Sequence, residues 1–517
     1  MIELDGTSAG SNVSGFTFDG DDITVRGLTI NRFDFDGISV NGENNIIAGN
    51  YIGTNISGAA DLGNQMRGVG SGGGTSDGLL IGGLNPEDRN VIAGNDDTGI
   101  SPTDGSDNWT VQGNYVGLGS DGSTAVPNAQ ANGSGALSLD DGDGHTVGGS
   151  ADGAQNVISG NNSYGIAPHV CNSCTIEGNL IGVLPDGVTP APNGGPSGYA
   201  PGINWSQSSN VAIRDNIVSY NENGPGLAVS NATGGTIQGN TVTNNVDGPG
   251  IMVVGSTNVL VGGTTDAQKN MVHDNGAPGI GVASMNITNV PMTIASSGVS
   301  VLRNEVYDND GGTMFGLPTD GLGIDLFSID LNGNTPTGLE DEGVTPNDAG
   351  DTDPGPNYFQ NFPVITGISS DGDDVTFTYN LDVNPADPNV NGYRVEFFAN
   401  TTADPSGHGQ GQTYLGADAG LTGDVTGRTF TVSNTALANG SYSFAAVTTA
   451  TDNSADGFGS SSEFSADLAA TISPASSNGS GAGAGTLADT GLDTYVYLAL
   501  AGGLVLTGGL VWRRLVS

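Results

Sequence analysis

Six consecutive residues, Asp140-Asp141-Gly142-Asp143-Gly144-His145, place three carboxylates and an imidazole in one short stretch. Paired carboxylates act as acid and base, or as nucleophile, in glycoside hydrolysis. Neighbouring residues of an extended chain point to opposite faces, so Asp141 and Asp143 are the two that share one. A polysaccharide lyase would instead abstract a proton beside a uronate with Arg or Lys. The basic residues before position 345 are Arg26, Arg32, Arg67, Arg89, Arg214, Lys269 and Arg303, dispersed without an obvious shared face. Acidic turns recur throughout the chain, so a plain polar turn is the simpler reading of 140–145. Asp141 and Asp143 remain the catalytic candidates of a chain that reads as non-enzymatic.

Two further groups suit ligation or cross-linking. Cys171 and Cys174, in His169-Val170-Cys171-Asn172-Ser173-Cys174, are the only cysteines. Two thiolates and one histidine fall one ligand short of a structural zinc site, so a local disulfide across a turn is expected, in an oxidising compartment. Asp348, Asp351 and Asp353 offer closely spaced hard oxygens and are the candidate calcium ligands. A solvated acidic linker without an ion is the competing reading.

The elements that must carry these groups are repeats. Gly49-Asn50-Tyr51-Ile52-Gly53 returns as Gly113-Asn114-Tyr115-Val116-Gly117 and Gly178-Asn179-Leu180-Ile181-Gly182, 64 and 65 residues apart. Gly83, Gly149 and Gly263 each close a hydrophobic-Gly-Gly triplet, with Asn90, Asn156 and Asn270 seven residues later. Shorter Asn-to-Asn intervals predict a unit of about 22 residues, three per large repeat. The apolar residues come in short β-branched bursts that stop at Gly or Asn, and no amphipathic helical stretch interrupts them before the C-terminus. About 15 such coils would stack into a rod of about 70 Å. Asn amides aligned coil on coil can hydrogen-bond along the stack.

The segments Asn90-Val91-Ile92-Ala93-Gly94-Asn95 and Asn156-Val157-Ile158-Ser159-Gly160-Asn161 carry a family resemblance, as do Asp36-Gly37-Ile38, Thr98-Gly99-Ile100 and Tyr164-Gly165-Ile166. They resemble the right-handed parallel β-helix repeats of the pectate-lyase-like superfamily, over about two-thirds of the chain. The superfamily includes polysaccharide-degrading enzymes and non-enzymatic surface proteins, so the resemblance bears on fold more than activity. Asp140 to Asp143 also resemble the acidic pairs of glycosidases on this fold. Gly407-His408-Gly409 is similar to another motif of those enzymes but falls beyond the repeats, where a loop is expected.

The chain has 55 acidic against 11 basic residues, a formal charge of −44. Such a field excludes nucleic acid as partner and keeps a long rod soluble. After about residue 345 the pattern changes to two-residue alternation, as in Val375-Thr376-Phe377-Thr378-Tyr379. The expected fold class is all-β: a right-handed parallel β-helix solenoid over 1–345, an acidic linker over 346–356, an immunoglobulin-like β-sandwich over 357–470 and a Ser/Gly/Ala tether over 471–486.

The tail, 487–517, combines Leu487-Ala488-Asp489-Thr490-Gly491, an uncharged run at 495–512 and Arg513-Arg514. It resembles a sortase sorting signal with a transmembrane helix, with Ala488 where the commonest signals carry proline. That resemblance implies linkage at Thr490, sortase and the membrane as partners, and an extracellular chain anchored to the cell wall or membrane. Residues 1–6 lack the features of a signal peptide, so the sequence is expected to be incomplete at its start. The function expected from these features is a non-enzymatic bacterial surface protein that makes adhesive contact with carbohydrate or another cell-surface ligand. The alternative is a surface-displayed polysaccharide lyase or glycoside hydrolase.

Overall fold

The computed structural model describes residues 1–473 apart from 104, 130–134, 196–197, 288–291, 334, 385–388 and 434. The first two-thirds wind into coils that each add one strand to three parallel sheets. The first sheet has 11 strands and the third 10, while the second has 13, two of them (Met292–Ile294 and Thr335–Glu340) paired antiparallel; up to Ile280–Ile287 successive members of each sheet are every third strand in the chain.

Most of these strands are only two to four residues long, so each places one or two side chains inward. In the second sheet the inward column runs Ile38, Val69, Ile100, Leu137, Ile166 and Ile203, in direct register. All six are fully buried. The third sheet does the same with Ile47, Ile81, Val111, Val147, Ile176 and Ile213. β-Branched side chains suit a pleated wall packed on its inner face, and a one-residue slip would turn each column outward.

Asparagine fixes the corners. Asn50, Asn90, Asn114, Asn156, Asn179, Asn216, Asn240, Asn270 and Asn304 form one continuous ladder, each Nδ2 donating to the next Oδ1 at 2.8–3.2 Å. A second ladder runs from Asn64 through Asn95, Asn128, Asn161, Asn193, Asn221, Asn245 and Asn275 to Asn309. These buried amides satisfy backbone groups that the tight corners leave unpaired: Asn156 Nδ2, for example, also donates to the Val111 carbonyl at 2.8 Å.

The ladders correct the expected period. Asn50 to Asn114 spans two coils rather than three, one long (to Asn90) and one short. The first sheet therefore holds 11 coils rather than about 15, which makes a stack of about 50 Å. The extra residues of a long coil leave the helix after each pentapeptide, in excursions closed by antiparallel bridges Thr54 to Asp61, Leu118 to Ala125 and Val183 to Pro190.

The last glycine of each pentapeptide is dictated by the coil beside it. Gly53, Gly117 and Gly182 have φ of +91°, +93° and +83°. A Cβ on Gly182 would lie 1.9 Å from the Ser219 carbonyl oxygen of the adjoining coil. Gly182→Ala is therefore expected to cost at least about 2 kcal/mol, from left-handed strain plus coil separation. Urea unfolding reads this directly, and an unchanged midpoint would contradict it.

Besides a two-stranded hairpin of Thr313–Met314 and Leu317–Pro318, the remaining strands form antiparallel sheets of three and four strands between residues Val364 and Ile472. Phe377 and Phe397 stack between them with ring centroids 4.4 Å apart. The two sheets close the end of the coil stack. Backbone N–H groups of the last coil, which have no further coil to bond, donate instead to the side chains of Glu396, Gln410 and Ser461 and to the Gly411 carbonyl. Phe398, Ala445, Val447 and Phe464 join the apolar core of the coils. Residues 346–356 are pinned in this junction: Asn347 Nδ2 donates to the Phe362 carbonyl and Asn361 Oδ1 accepts from the Asp348 amide.

Among the described residues no helix is long and apolar enough to cross a membrane. The sorting signal, Leu487, Ala488, Asp489, Thr490 and Gly491, and the run at 495–512 lie outside the described residues.

Candidate active site

The outer face of the second sheet brings together side chains that are distant in sequence. Strand Leu137–Asp140 turns Leu137 and Leu139 inward and presents Ser138 and Asp140 outward. The next coil repeats this with Ile166–His169, and register places His169 directly beside Asp140 and, in the coil after, beside Ser206. His169 Nδ1 lies 3.5 Å from Asp140 Oδ1. Ser138 Oγ donates to Asp140 Oδ2 at 2.8 Å, and Gln207 Nε2 approaches His169 Nε2 at 3.3 Å. With the Gln207 amide donating, His169 carries its proton on Nδ1 toward Asp140 and offers Nε2 as the acceptor. Burial raises the Asp140 carboxyl above the ordinary range, against the lowering pull of Ser138 and His169.

Aromatic groups flank the other end of these strands. Tyr164 is half-buried, and burial raises its phenol. Tyr199 and Phe315 pair at 5.4 Å with both rings partly exposed, lining an open cleft of about 350 Å³ together with Asn223 and Asp247. A slightly larger cleft, about 390 Å³, lies at the junction with the antiparallel sheets and holds Asp351 and Asp353, with no imidazole, lysine or arginine lining it among the described residues. The imidazole–carboxylate pair is on the sheet face and not in the larger cavity.

The cations of the coil region are engaged elsewhere. Arg26 pairs with Asp88, Arg32 with Asp5, Arg214 with Glu177, Lys269 with Glu305 and Arg303 with Asp266. Arg89 stacks on Tyr115. Arg67 grips Asp36 through Nε and Nη2, both at 3.1 Å. None of the seven stands ready as the base of a lyase.

The acidic stretch of 140–145 behaves differently from its alternation pattern. Asp141 has φ +55°, a turn conformation that ends the strand, so Asp141 and Asp143 do not share a strand face. Asp143 Oδ1 accepts from the Asn172 amide and side chain. Its neighbour Asp140 is the carboxylate in contact with an imidazole. His145 turns into the core, where Nδ1 accepts the Trp109 N–H at 3.1 Å and Nε2 has no partner.

Burial drives His145 down to about 4 from 6.5. An unfolded chain takes up this proton near 6.5 while the folded chain resists it until about 4. The associated stability is thus fully present above pH 6.5 and lost as pH falls from 6.5 toward 4, at most about 3 kcal/mol. At the corresponding corner Asn45 Oδ1 accepts the Ile23 N–H, so His145→Asn is expected to keep the bond and flatten this part of the pH dependence. Urea unfolding at pH 7.5 and 4.5 compares the two chains, and equal slopes would contradict the assignment.

Cys171 and Cys174 are joined in a buried disulfide with Cα atoms 6.0 Å apart. Of the candidate calcium ligands, Asp351 accepts from Gln360 Nε2 and the Asn361 amide, and burial pushes it up to about 6. Asp348 accepts from Thr352. Among the described residues the group of acidic side chains whose oxygens lie within 4.8 Å of one another is instead Asp320, Asp325 and Glu342, a set able to hold a divalent cation.

Residues 148–328 match the family profile described as right handed beta helix region. No curated protein sequence matches the chain. Solved structures similar to it include the A-module of the mannuronan C-5 epimerase AlgE4 of Azotobacter vinelandii, at 15% identity and a TM-score of 0.31, covering 64% of this chain and 85% of that one. Another is a mutant of the periplasmic alginate epimerase AlgG, at 16% identity and a TM-score of 0.26, covering 50% of this chain and 61% of that one. At these values the likeness assigns no activity here. Both neighbours carry the names of epimerases, and the expectation of a non-enzymatic adhesive rod is not kept.

Proposed function

We propose that the chain is a polysaccharide-processing enzyme that moves a proton on a sugar ring held against the outer face of the second sheet. The observation that carries this reading is the Asp140–His169 pair, an imidazole oriented by a carboxylate and exposed on an open, elongated face. In this scheme the substrate displaces the Gln207 amide and His169 Nε2 takes the proton from the sugar carbon, Asp140 holds the imidazole and stabilises its charged form, and the Tyr164 phenol or water supplies the proton that the carbon or the leaving oxygen takes up. The Tyr199–Phe315 step offers an apolar surface for a sugar ring.

A base of this kind suits elimination or epimerisation beside a sugar carboxylate. It suits hydrolysis less, because a hydrolase needs two carboxylates flanking the bond and the pair Asp141 and Asp143 is not assembled. Incubating the full chain with uronate-containing and neutral glycans separates these outcomes. Unsaturated ends report elimination, inverted ring configuration without cleavage reports epimerisation, and new saturated reducing ends report hydrolysis. Absence of all three across the panel would sink the reading.

We also propose display at the cell surface, with Leu487, Ala488, Asp489, Thr490 and Gly491 read as a sortase signal and 495–512 as the membrane segment. Composition and order of the tail support this. Release of the protein from cell envelopes by wall digestion, lost on Thr490→Ala, is its test.

A further inference from the structure

We propose that Asp320, Asp325 and Glu342 form a calcium site that ties together the two segments at the end of the coil stack that Glu463 clasps. The three carboxylates come from separate stretches: Asp325 from the final long strand, Ile324–Asn332, Asp320 from the segment entering it, and Glu342 from the segment after its antiparallel partner. One oxygen of each lies within 4.8 Å of the others, a spacing compatible with oxygens that share one calcium at 2.3–2.6 Å each.

Asp325 points to an ion rather than to a chance acidic cluster. Its side chain is completely buried, and neither carboxylate oxygen has a hydrogen-bond partner. The Gly343 amide is near enough to act on it electrostatically but falls short of a hydrogen bond. Glu342 Oε1 is likewise buried and unpartnered, while its Oε2 accepts from the Asp320 amide at 3.0 Å. Among the described residues no Lys, Arg or His forms an ion pair with any of the three.

Protonating Asp325 removes only its own charge and leaves the Asp320 and Glu342 carboxylates around the same space. A divalent cation neutralises the group and satisfies its lone pairs together. All-oxygen donors with no imidazole or thiolate favour calcium over zinc.

The site's position gives the ion a structural task. Glu463, from the antiparallel part of the chain, accepts from the Leu326 amide at 3.1 Å and the Thr345 amide at 2.9 Å, so it grips the residue after Asp325 and the stretch just beyond Glu342. A cation on the three carboxylates would tie together the two segments that Glu463 clasps. The inference is independent of the proposed catalytic role, since His169 lies several coils away.

The test uses the full chain stripped with chelator at neutral pH, with calcium, magnesium or zinc added singly while calorimetric binding and thermal unfolding are followed. Calcium is expected to raise the unfolding temperature and to protect the segment around 320–345 from protease. Asp325→Asn, close in shape, is expected to fold, by circular dichroism, and to lose calcium affinity at least 100-fold together with the temperature shift. Glu342→Gln should weaken both. A joint Asn substitution of Asp348, Asp351 and Asp353 should leave the calcium response in place. No calcium response in the parent chain, a response to magnesium or zinc alone, a full response in Asp325→Asn, or its loss only in the triple variant would each overturn the proposal.

Discussion

His169→Ala is expected to lower polysaccharide turnover by roughly 10²–10⁴-fold without unfolding the protein. The side chain sits on the outer face, partly exposed, and its bonds are to Asp140 and Gln207 rather than to the core. Removing it therefore deletes the base while leaving the inward column through Ile166 intact. Asp140→Asn separates the roles further: it keeps the shape but removes the charge that orients Nδ1, so turnover should fall and its pH profile should shift. A His169→Ala chain with parental turnover would assign the chemistry elsewhere, with Asp141 and Asp143 the next residues to replace.

The second large effect is structural. Asn179→Leu, in the middle of the first Asn ladder, is expected to destabilise the protein by roughly 4 kcal/mol. Its Nδ2 donates to Asn216 Oδ1, the Val147 carbonyl and the Glu177 carbonyl, and its Oδ1 accepts from the side chain and backbone of Asn156. Leucine of similar volume leaves those buried partners unsatisfied on both neighbouring coils. Asn304, at the end of the ladder, accepts from Asn270 and donates to the Val261 carbonyl, with no further Asn beyond it. Asn304→Leu should consequently cost about half as much. Chemical denaturation of both variants checks this, and a mid-ladder loss below about 1 kcal/mol would mean that water replaces the amides.

The solenoid was legible because its physics is repetitive. Inward β-branched residues, corner Asn and left-handed Gly recur at matched places, and coils that stack must repeat them. The coil length was not legible, because excursions such as the one between Thr54 and Asp61 lengthen alternate coils, and an averaged interval hides that alternation. The same difficulty concealed the site. Asp140 and His169 each stand three residues after an inward Leu137 or Ile166, but pairing them requires knowing that one coil separates those two residues. Alternation singled out Asp141 and Asp143 instead, and the turn at Asp141 breaks it. Closeness in sequence likewise favoured Asp348, Asp351 and Asp353 as metal ligands, whereas Asp320, Asp325 and Glu342 are gathered only once the final strand folds back on its partner. That the antiparallel sheets cap the coils rather than follow them on a linker depends on pairs such as Arg303 with Glu396, 93 residues apart.

Proton transfer from a sugar carbon at His169 is read by solvent isotope incorporation if the carbon is reprotonated, and by unsaturated ends if a bond is eliminated. A uronate-containing polysaccharide incubated with the full chain in heavy water should gain carbon-bound deuterium beside the carboxylate on epimerisation, or unsaturated ends on elimination, and the His169→Ala chain should give neither. Glycan cleavage by the parent chain with no carbon-bound deuterium and no unsaturated ends, or equal labelling by the variant, would contradict the account.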